Sequence, residues 1–391
     1  MEGRVQLAIE LIDKFADRTG LTSERTAQRY LWTDAFAVCT LLGFARTTGE
    51  AKYGDLAARL IDHVHATLGR HRGDDGREGW LSGLDERQAR AHPTAGGLRI
   101  GKPFPERSPY ALVDAADEWN SDGQYFHYLT KWMHALDQAT RVTRLWSYNV
   151  WARELADRAF EAFTYVPQDI AERRLHPRRI YWKMSIDLTR PTVRSAGQHD
   201  AIDGYVTFVQ LAATANSAPQ QLRDPHVGGL ADELASAIDH RALHTSDPLG
   251  LGGLLIDAAR IEQLAVAHAF VDDALAELLC TAAAVGLASF QREGVSEHAV
   301  EQRLPFRELG LAIGIRAIEL VADTASPSRL RRGLEALRPH LHYADEIEQF
   351  WCDDHHREAA SWTAHRDIND VMLAAALAPE GVALLSDWHK P

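Results

Sequence analysis

Cysteine is scarce, with three residues in a chain of 391: Cys39, Cys280 and Cys352. They lie far apart in apolar helical patterns, which excludes a disulfide framework and a CxxC metal site and fits a reducing cytosol. An excess of positive charge is lacking as well. The formal net charge is -13, so nucleic acid and anionic membrane, which require basic clusters, are not expected as partners. No run approaches the roughly 18 apolar residues of a membrane span. The first twenty residues carry Glu2, Glu10, Asp13 and Asp17 in an amphipathic pattern rather than a basic stretch followed by an apolar one, so a cytoplasmic location is expected. Strand-like alternation is rare, the best case being Arg179 to Leu188, which suits a short hairpin or ordered loop rather than a sheet. A phosphate loop is missing too. Gly250, Gly252 and Gly253 follow no strand and precede no Lys-Ser or Lys-Thr, which leaves dinucleotide binding unsupported.

What the chain does have is apolar material for a large core: 46% of its residues are hydrophobic. Single cores usually stop growing near about 250 to 300 residues, so one domain over 1–391 requires a closed ring or solenoid. The helical patterns supply that alternative. Residues 50–69 place Tyr53, Leu56, Ala57, Leu60, Ile61, Val64 and Leu68 on one stripe, the mark of a helix buried on one side. Tyr30 to Ala45 is apolar around most of its circumference, as an inner helix would be. Thr47-Thr48-Gly49-Glu50 between them is a short turn with a glycine stop, which makes the two an antiparallel hairpin.

The inner-then-outer order recurs at 122–141 with 148–163, 200–216 with 230–242, 247–267 with 272–290, and 307–323 with 328–337. It ends on 367–378, which the first helix, 3–18, would partner. Six such pairs predict an all-α fold, an (α/α)6 barrel or six-hairpin toroid. The segment 73–118, rich in Gly, Pro and Arg, is too long for a plain connection and is expected to lie over one mouth of the ring.

Each expected inner helix opens on a small polar cluster, and parallel inner helices would bring all six openings to one end. The openings hold Trp32 and Asp34; Trp119, Asp122, Tyr125 and His127; His199, Asp200 and Asp203; Asp247; Arg307 and Glu308; and His365, Arg366, Asp367 and Asp370. Many of these acids also suit plain N-caps. Ser121 with Gln124 has capping-box spacing, Asp247-Pro248 is a cap with proline at the first helical position, and Asp200 with Asp203 has the cap-to-N3 spacing. Capping accounts for carboxylates but not for Trp32, Trp119, Tyr125, His127 and His199 beside them.

The run from Trp32-Thr33-Asp34 to Thr48-Gly49-Glu50-Ala51-Lys52-Tyr53 resembles the inner-helix, TG[DE]xxY, outer-helix hairpins of the six-hairpin glycosidase-like superfamily. That group includes glycoside hydrolases, unsaturated glucuronyl hydrolases and the acylglucosamine and cellobiose 2-epimerases. The resemblance covers most of the chain as architecture and implies a carbohydrate-active enzyme whose partner is a small saccharide or glycoside. Hydrolysis needs a proton donor and a second carboxylate. Asp122 and Asp200 are the first candidates, with Glu308 and Asp367 as further catalytic carboxylates. Trp32, Trp119, Tyr125 and Trp182 would stack on sugar rings. Asp34, His127, His199, Asp203, Arg307, Arg366 and Asp370 would hold the substrate.

Three other readings stand beside hydrolysis. An epimerase would use His127, His199 and His365 as acid and base. A cyclase or metal-assisted enzyme is suggested by Asp367-Ile368-Asn369-Asp370, which resembles the DxDD motif of protonating terpene cyclases but departs from it at Asn369. His199, Asp200 and Asp203 could face one metal and His355-His356 adds two imidazoles, yet the spacing matches no ligand pattern, so no metal and no cofactor are expected. A ring that binds a ligand without turnover is the last. Two smaller features complete the inventory. Asp353 to Glu358 is a charge run that suits a solvated face. Gly96 to Pro103 is basic amid an acidic chain and could meet a carboxylate or phosphate.

Overall fold

The computed structural model describes residues 2–108, 115–167, 177–195, 197–267, 273–294, 297–322 and 330–385. The expected helix ends at 272, 323 and 328, and residues 109–114 of the long connection, lie outside them. Helix makes up 66% of the structure and strand 4%, so the all-α class holds.

In chain order the elements of the first half are α1 (Glu2–Arg18), α2 (Leu31–Thr48), α3 (Ala51–Leu68), α4 (Glu86–Ala91), α5 (Ala115–Asn120), β1 (Gln124–Tyr125), α6 (Phe126–Thr143), α7 (Ser147–Phe163), β2 (Thr164–Tyr165), β3 (Arg179–Ile180), β4 (Lys183–Met184), β5 (Pro191–Val193), α8 (Asp200–Asn216) and α9 (His226–Ala235). The second half adds α10 (Pro248–Val266), α11 (Asp273–Glu293), α12 (Pro305–Ala322), α13 (Arg331–Leu337), α14 (His342–Cys352), α15 (Ala360–Thr363), α16 (Arg366–Leu377) and α17 (Glu380–Ala383).

The chain divides into two compact units. One comprises 19–38 and 55–238, the other 1–18, 39–54 and 239–391. In the first, α6 packs on α7 and α8, and α8 on α9. Helix α6 is buried almost all round, from Phe126 to Arg141, whereas α7 and α9 bury one face each. Its interior is partly polar. Asp137 accepts from Arg141 Nε, Gln210 Nε2 and Asn149 Nδ2 at 2.7, 2.7 and 3.2 Å, which ties α6, α7 and α8 together where an unpartnered group would be costly.

In the second unit α10 and α12 lie against each other with α11 on α10, α14 and α16 on α12, and α1 on α16, so the first helix packs on the helix over 367–378 that was expected to partner it. The α10 to α12 crossing is backbone-close because it is glycine-lined. A Cβ on Gly252 would come within 2.0 Å of the Gly310 carbonyl oxygen, and one on Gly314 within 2.5 Å of that of Gly252. Such contact leaves no room for any other residue. Helix α11 over Ala274–Glu293 is long and apolar enough to cross a membrane by length and composition, but half of that window is buried, as in a helix docked by one face on a core.

Three expectations about local structure are corrected. The polar run before α6 is no helix N-terminus, because α6 begins only at Phe126, after β1. Gly123, at φ +153, breaks the helical path there. Arg179 to Leu188, expected as a short hairpin or ordered loop rather than part of a sheet, contributes to two small sheets: β3 pairs with β2, and β4 lies between β1 and β5, all antiparallel. The helix placed at 230–242 runs instead from His226 to Ala235.

The described residues of the segment 73–118 are held in place largely by arginines. Arg70 reaches both oxygens of Glu86 and lies over the Trp80 ring, and Arg77 holds Asp75, Glu106 and Asp187. Asp85 caps the short α4 through the amides of Arg87 and Gln88.

Candidate active site

Within the unit formed by 19–38 and 55–238, the start of α2, the β1 to α6 junction and the β3 to β4 turn bring their aromatic side chains together. Trp182 stacks parallel to the His127 imidazole at 5.9 Å, and Tyr125 meets Trp182 at 5.0 Å and His127 at 5.3 Å. Tyr128 touches His127, Tyr125 and Trp32, and Trp119 extends the cluster through Trp182 at 6.2 Å. Trp119 is 47% exposed whereas Trp32 and Tyr125 are buried, so the cluster runs from the interior to the surface. Tyr30 joins it through a 2.6 Å hydrogen bond between its hydroxyl and that of Tyr128.

Two polar atoms in this cluster, Trp32 Nε1 and His127 Nδ1, are buried and have no hydrogen-bond partner. A buried donor left unmatched is costly, so paired unmatched groups in one aromatic cluster mark a place where a ligand or water completes the bonding. His127 Nδ1 lies 3.9 Å from Asp200 Oδ1. Burial holds the imidazole neutral, its pKa pulled down to about 3.

Asp200 and Asp203 occupy the first turn of α8, where the helix dipole favours ionised acids by about 0.3–1 kcal/mol. Asp203 conforms. Its carboxylate accepts from Lys131 Nζ at 2.6 Å and from the Thr130 hydroxyl. Asp200 behaves in the opposite way, because burial and then the neighbouring Asp203 charge push its pKa up to about 7. Among the described residues its hydrogen-bond donor is the Gly197 amide, at 3.0 Å. An upward displacement from the ordinary 3.8 to about 7 corresponds to about 4 kcal/mol, so desolvation outweighs the helix dipole. One carboxyl is thereby kept protonated near neutrality beside one kept ionised. That division of labour is what acid catalysis requires. It also shows that Asp200 is not an N-cap, a position held by His199, which is half-buried and offers its carbonyl to the Ile202 and Asp203 amides.

Asp122, the other acid favoured by the sequence, has a different role. It is fully buried, with Oδ2 accepting from Arg99 Nη1 at 2.5 Å and Arg72 Nη1 at 3.2 Å, and Oδ1 accepting from the amides of Gly101, Lys102 and Gly123. Five donors saturate both oxygens, so it anchors the Gly96 to Pro103 loop rather than facing a ligand. Gln124 is likewise no capping residue. It binds the Leu98 amide and the carbonyls of Gly96 and Ile186 beneath Gly97, whose φ of +79 and 2.1 Å Cβ clearance to Gln124 admit only glycine. Asp34 also has a structural setting, accepting from Arg29 and the Tyr30 amide.

The remaining candidate acids belong to the other unit, where each meets an arginine. Arg303 pairs with Glu308, which also receives Trp351 Nε1 at 3.0 Å, and the pair is buried. Arg18 reaches Asp367 at 2.9 Å and Asp370 at 2.6 Å, and Trp362 Nε1 donates to Asp370. Arg307 binds Asp247, which caps α10 through the Gly250 amide with Pro248 following, as the sequence predicts. Arg366 is exposed. No group of three or more metal-ligating side chains occurs among the described residues.

Four residues around the ring cluster were not among the expected site residues: Tyr30 and Glu118, which stand in the polar runs at helix starts, Lys102, in the basic loop, and Lys183. Lys183 is fully buried, donating to the carbonyls of Glu118 and Ser121 and pairing with the Glu118 carboxylate at 2.9 Å. The one signal for Lys102 was the basic character of its loop. No protein-family model matches the chain, and comparison with curated proteins finds no relative.

Proposed function

We propose that the chain is a carbohydrate-active enzyme of six-hairpin (α/α)6 architecture that cleaves a glycosidic bond, with Asp200 as the proton donor. One observation carries this reading: a buried carboxyl, held protonated to about pH 7, stands beside a neutral imidazole in a cluster of indole and phenol rings. Such rings offer flat apolar faces to the C–H faces of sugars, and unmatched polar atoms at Trp32 and His127 supply positions for sugar hydroxyls. Asp203 acts through Asp200, its fixed negative charge opposing ionisation of the neighbour. Asp200 delivers a proton to the leaving oxygen, and a carboxyl with a pKa near the working pH is the efficient group for that step.

The same pairing of Asp200 with His127 favours a second reading, epimerisation of a sugar carbon by proton removal and return. Product analysis separates the two, since hydrolysis releases a new reducing end whereas epimerisation in heavy water incorporates solvent deuterium. For hydrolysis, Asp200→Asn is expected to lower turnover of alkyl glycosides about 10²- to 10⁴-fold. It should spare dinitrophenyl glycosides, whose leaving group needs no proton. Equal loss on both substrate types would remove Asp200 from the acid role.

A further inference from the structure

We propose that Lys102 forms an anion subsite at the outer end of the ring cluster, so that the ligand carries a carboxylate or phosphate group. The inference deepens the saccharide reading of that cluster by adding a charge to the ligand.

The lysine is presented on a fixed backbone. Its amide and that of Gly101 donate to Asp122 Oδ1 at 3.4 and 3.0 Å, and its carbonyl accepts from Arg72 Nη1 at 2.7 Å. Gly101 has a φ of +90, and a Cβ there would stand 2.2 Å from the Arg29 carbonyl oxygen, so the path into Lys102 admits no other residue. From this mount the side chain reaches over the Trp119 ring, with Nζ 4.7 Å from its centre and 5.4 Å from that of Tyr30.

What sets Lys102 apart is that no described residue serves as its counter-ion. Arg72 and Arg99 have Asp122, Lys183 has Glu118, and Lys131 has Asp203. Among the described residues no ion pair or hydrogen bond engages Lys102 Nζ. The nearest charges that act on it are Lys183, which repels, and Asp122, whose oxygens are already saturated. Burial, then Lys183, pull its pKa down to about 8, the response of a cation short of compensation. The two ring faces attract the ammonium but accept none of its three N–H bonds in the plane of a lone pair. An oxyanion would take them. Because Trp119 is half-exposed, its ring is open to the body of the same ligand.

The test is calorimetric titration of the full chain with methyl glucuronide, glucose 6-phosphate, methyl glucoside and inorganic phosphate, repeated on Lys102→Met and Lys102→Arg. A charge-assisted bond predicts that at least one charged sugar binds about 10- to 100-fold more tightly than the neutral glucoside. Lys102→Met should erase that advantage and Lys102→Arg should keep most of it, while circular dichroism confirms that both variants fold. The ranking of the carboxylate sugar against the phosphate sugar identifies the anion. Sugars that bind without regard to charge or to Lys102 would overturn the subsite and leave the saccharide reading standing. Inorganic phosphate bound in a Lys102-dependent way, with no sugar of any charge bound, would support the subsite and remove the saccharide reading. No Lys102-dependent binding of any probe overturns the inference.

Discussion

The carboxylates near helix starts look alike in sequence but fare differently in the two units. In the unit containing α10 to α17, Glu308, Asp367, Asp370 and Asp247 each meet an arginine, from Arg303, Arg18 or Arg307. In the unit containing α6 to α9, Asp200 is buried beside a neutral histidine, and among the described residues no cation is bonded to it. An arginine bonded to a buried acid makes it a tie between helices, although at Asp370 burial raises the pKa even against Arg18. Asp200, with no such bond, is raised further, to about 7, and stands open to act as a proton donor. The bonded partner separates the tie from the donor.

The largest test of this contrast is Asp122, which lies in the ring-bearing unit yet is bonded like the acids of the other. Asp122→Ala would leave Arg72 and Arg99 buried around an empty acceptor site. A stability loss of about 3–5 kcal/mol is expected in urea denaturation. A stable Asp122→Asn protein without turnover would instead give Asp122 a chemical role.

Next in size is the pH dependence that Asp200 imposes. Its folded pKa of about 7 stands above the ordinary 3.8, so the folded state holds a proton that the unfolded chain has released. The contribution is fully present below about pH 4, falls as pH rises, and levels off above about pH 7, a span of about 4 kcal/mol. Asp200→Asn has no such titration. The melting temperature of the variant should therefore gain on the parent between pH 4 and 7. His127 and His65, held neutral down to about pH 3 by burial, act in the acid direction: stability is lost as pH falls below about 6.5. Both proteins share them, so they cancel in the difference. A constant gap across that range would mean that Asp200 is ionised like its counterparts.

Glu308→Gln probes the other side. Arg303 would lose its counter-charge in a buried setting, and a loss of about 3 kcal/mol is expected, with the affinity for any ligand of the ring cluster unchanged. A variant of normal stability with lost turnover would show that this acid belongs to the chemistry.

The fold was legible where periodicity is long. The all-round burial of α6 against the one-sided burial of α7 follows from their apolar spacing, and α8 runs over the predicted 200–216. What failed was local and set at long range. Asp122 reads as a catalytic candidate because its saturation depends on Arg72 and Arg99, 50 and 23 residues away. Ser121 and Gln124 have capping-box spacing, but Gln124 is drawn to the Gly96 and Ile186 carbonyls. Arg179 to Leu188 reads as a hairpin or loop outside any sheet because the strands that its two halves pair with, β2 and β1, come from other parts of the chain. For the site, Trp32, Trp119 and Tyr125 stand out in the sequence because rings beside polar helix starts have no capping explanation, and the structure joins them through ring contacts with Trp182 and Tyr128. No pattern in the chain could distinguish Asp200 from Glu308, since that depends on the absence or presence of a cation contributed by another segment.

The smallest expected effect on stability is the sharpest on binding. Trp119 is half-exposed, its ring meeting Trp182 at 6.2 Å and the Lys102 ammonium at 4.7 Å, so Trp119→Ala removes little buried area. Surface truncations of this kind change stability by no more than about 0.5 kcal/mol. A ring face left half open contributes instead to whatever lies on it, and stacking of about 0.5–1.5 kcal/mol corresponds to a roughly two- to tenfold loss of affinity. The acids of the other unit offer no equivalent position, for their partners are internal. A Trp119→Ala protein that melts several degrees early yet binds as before would make the exposed indole a packing element, and the surface end of the ring cluster would lose its claim to a ligand.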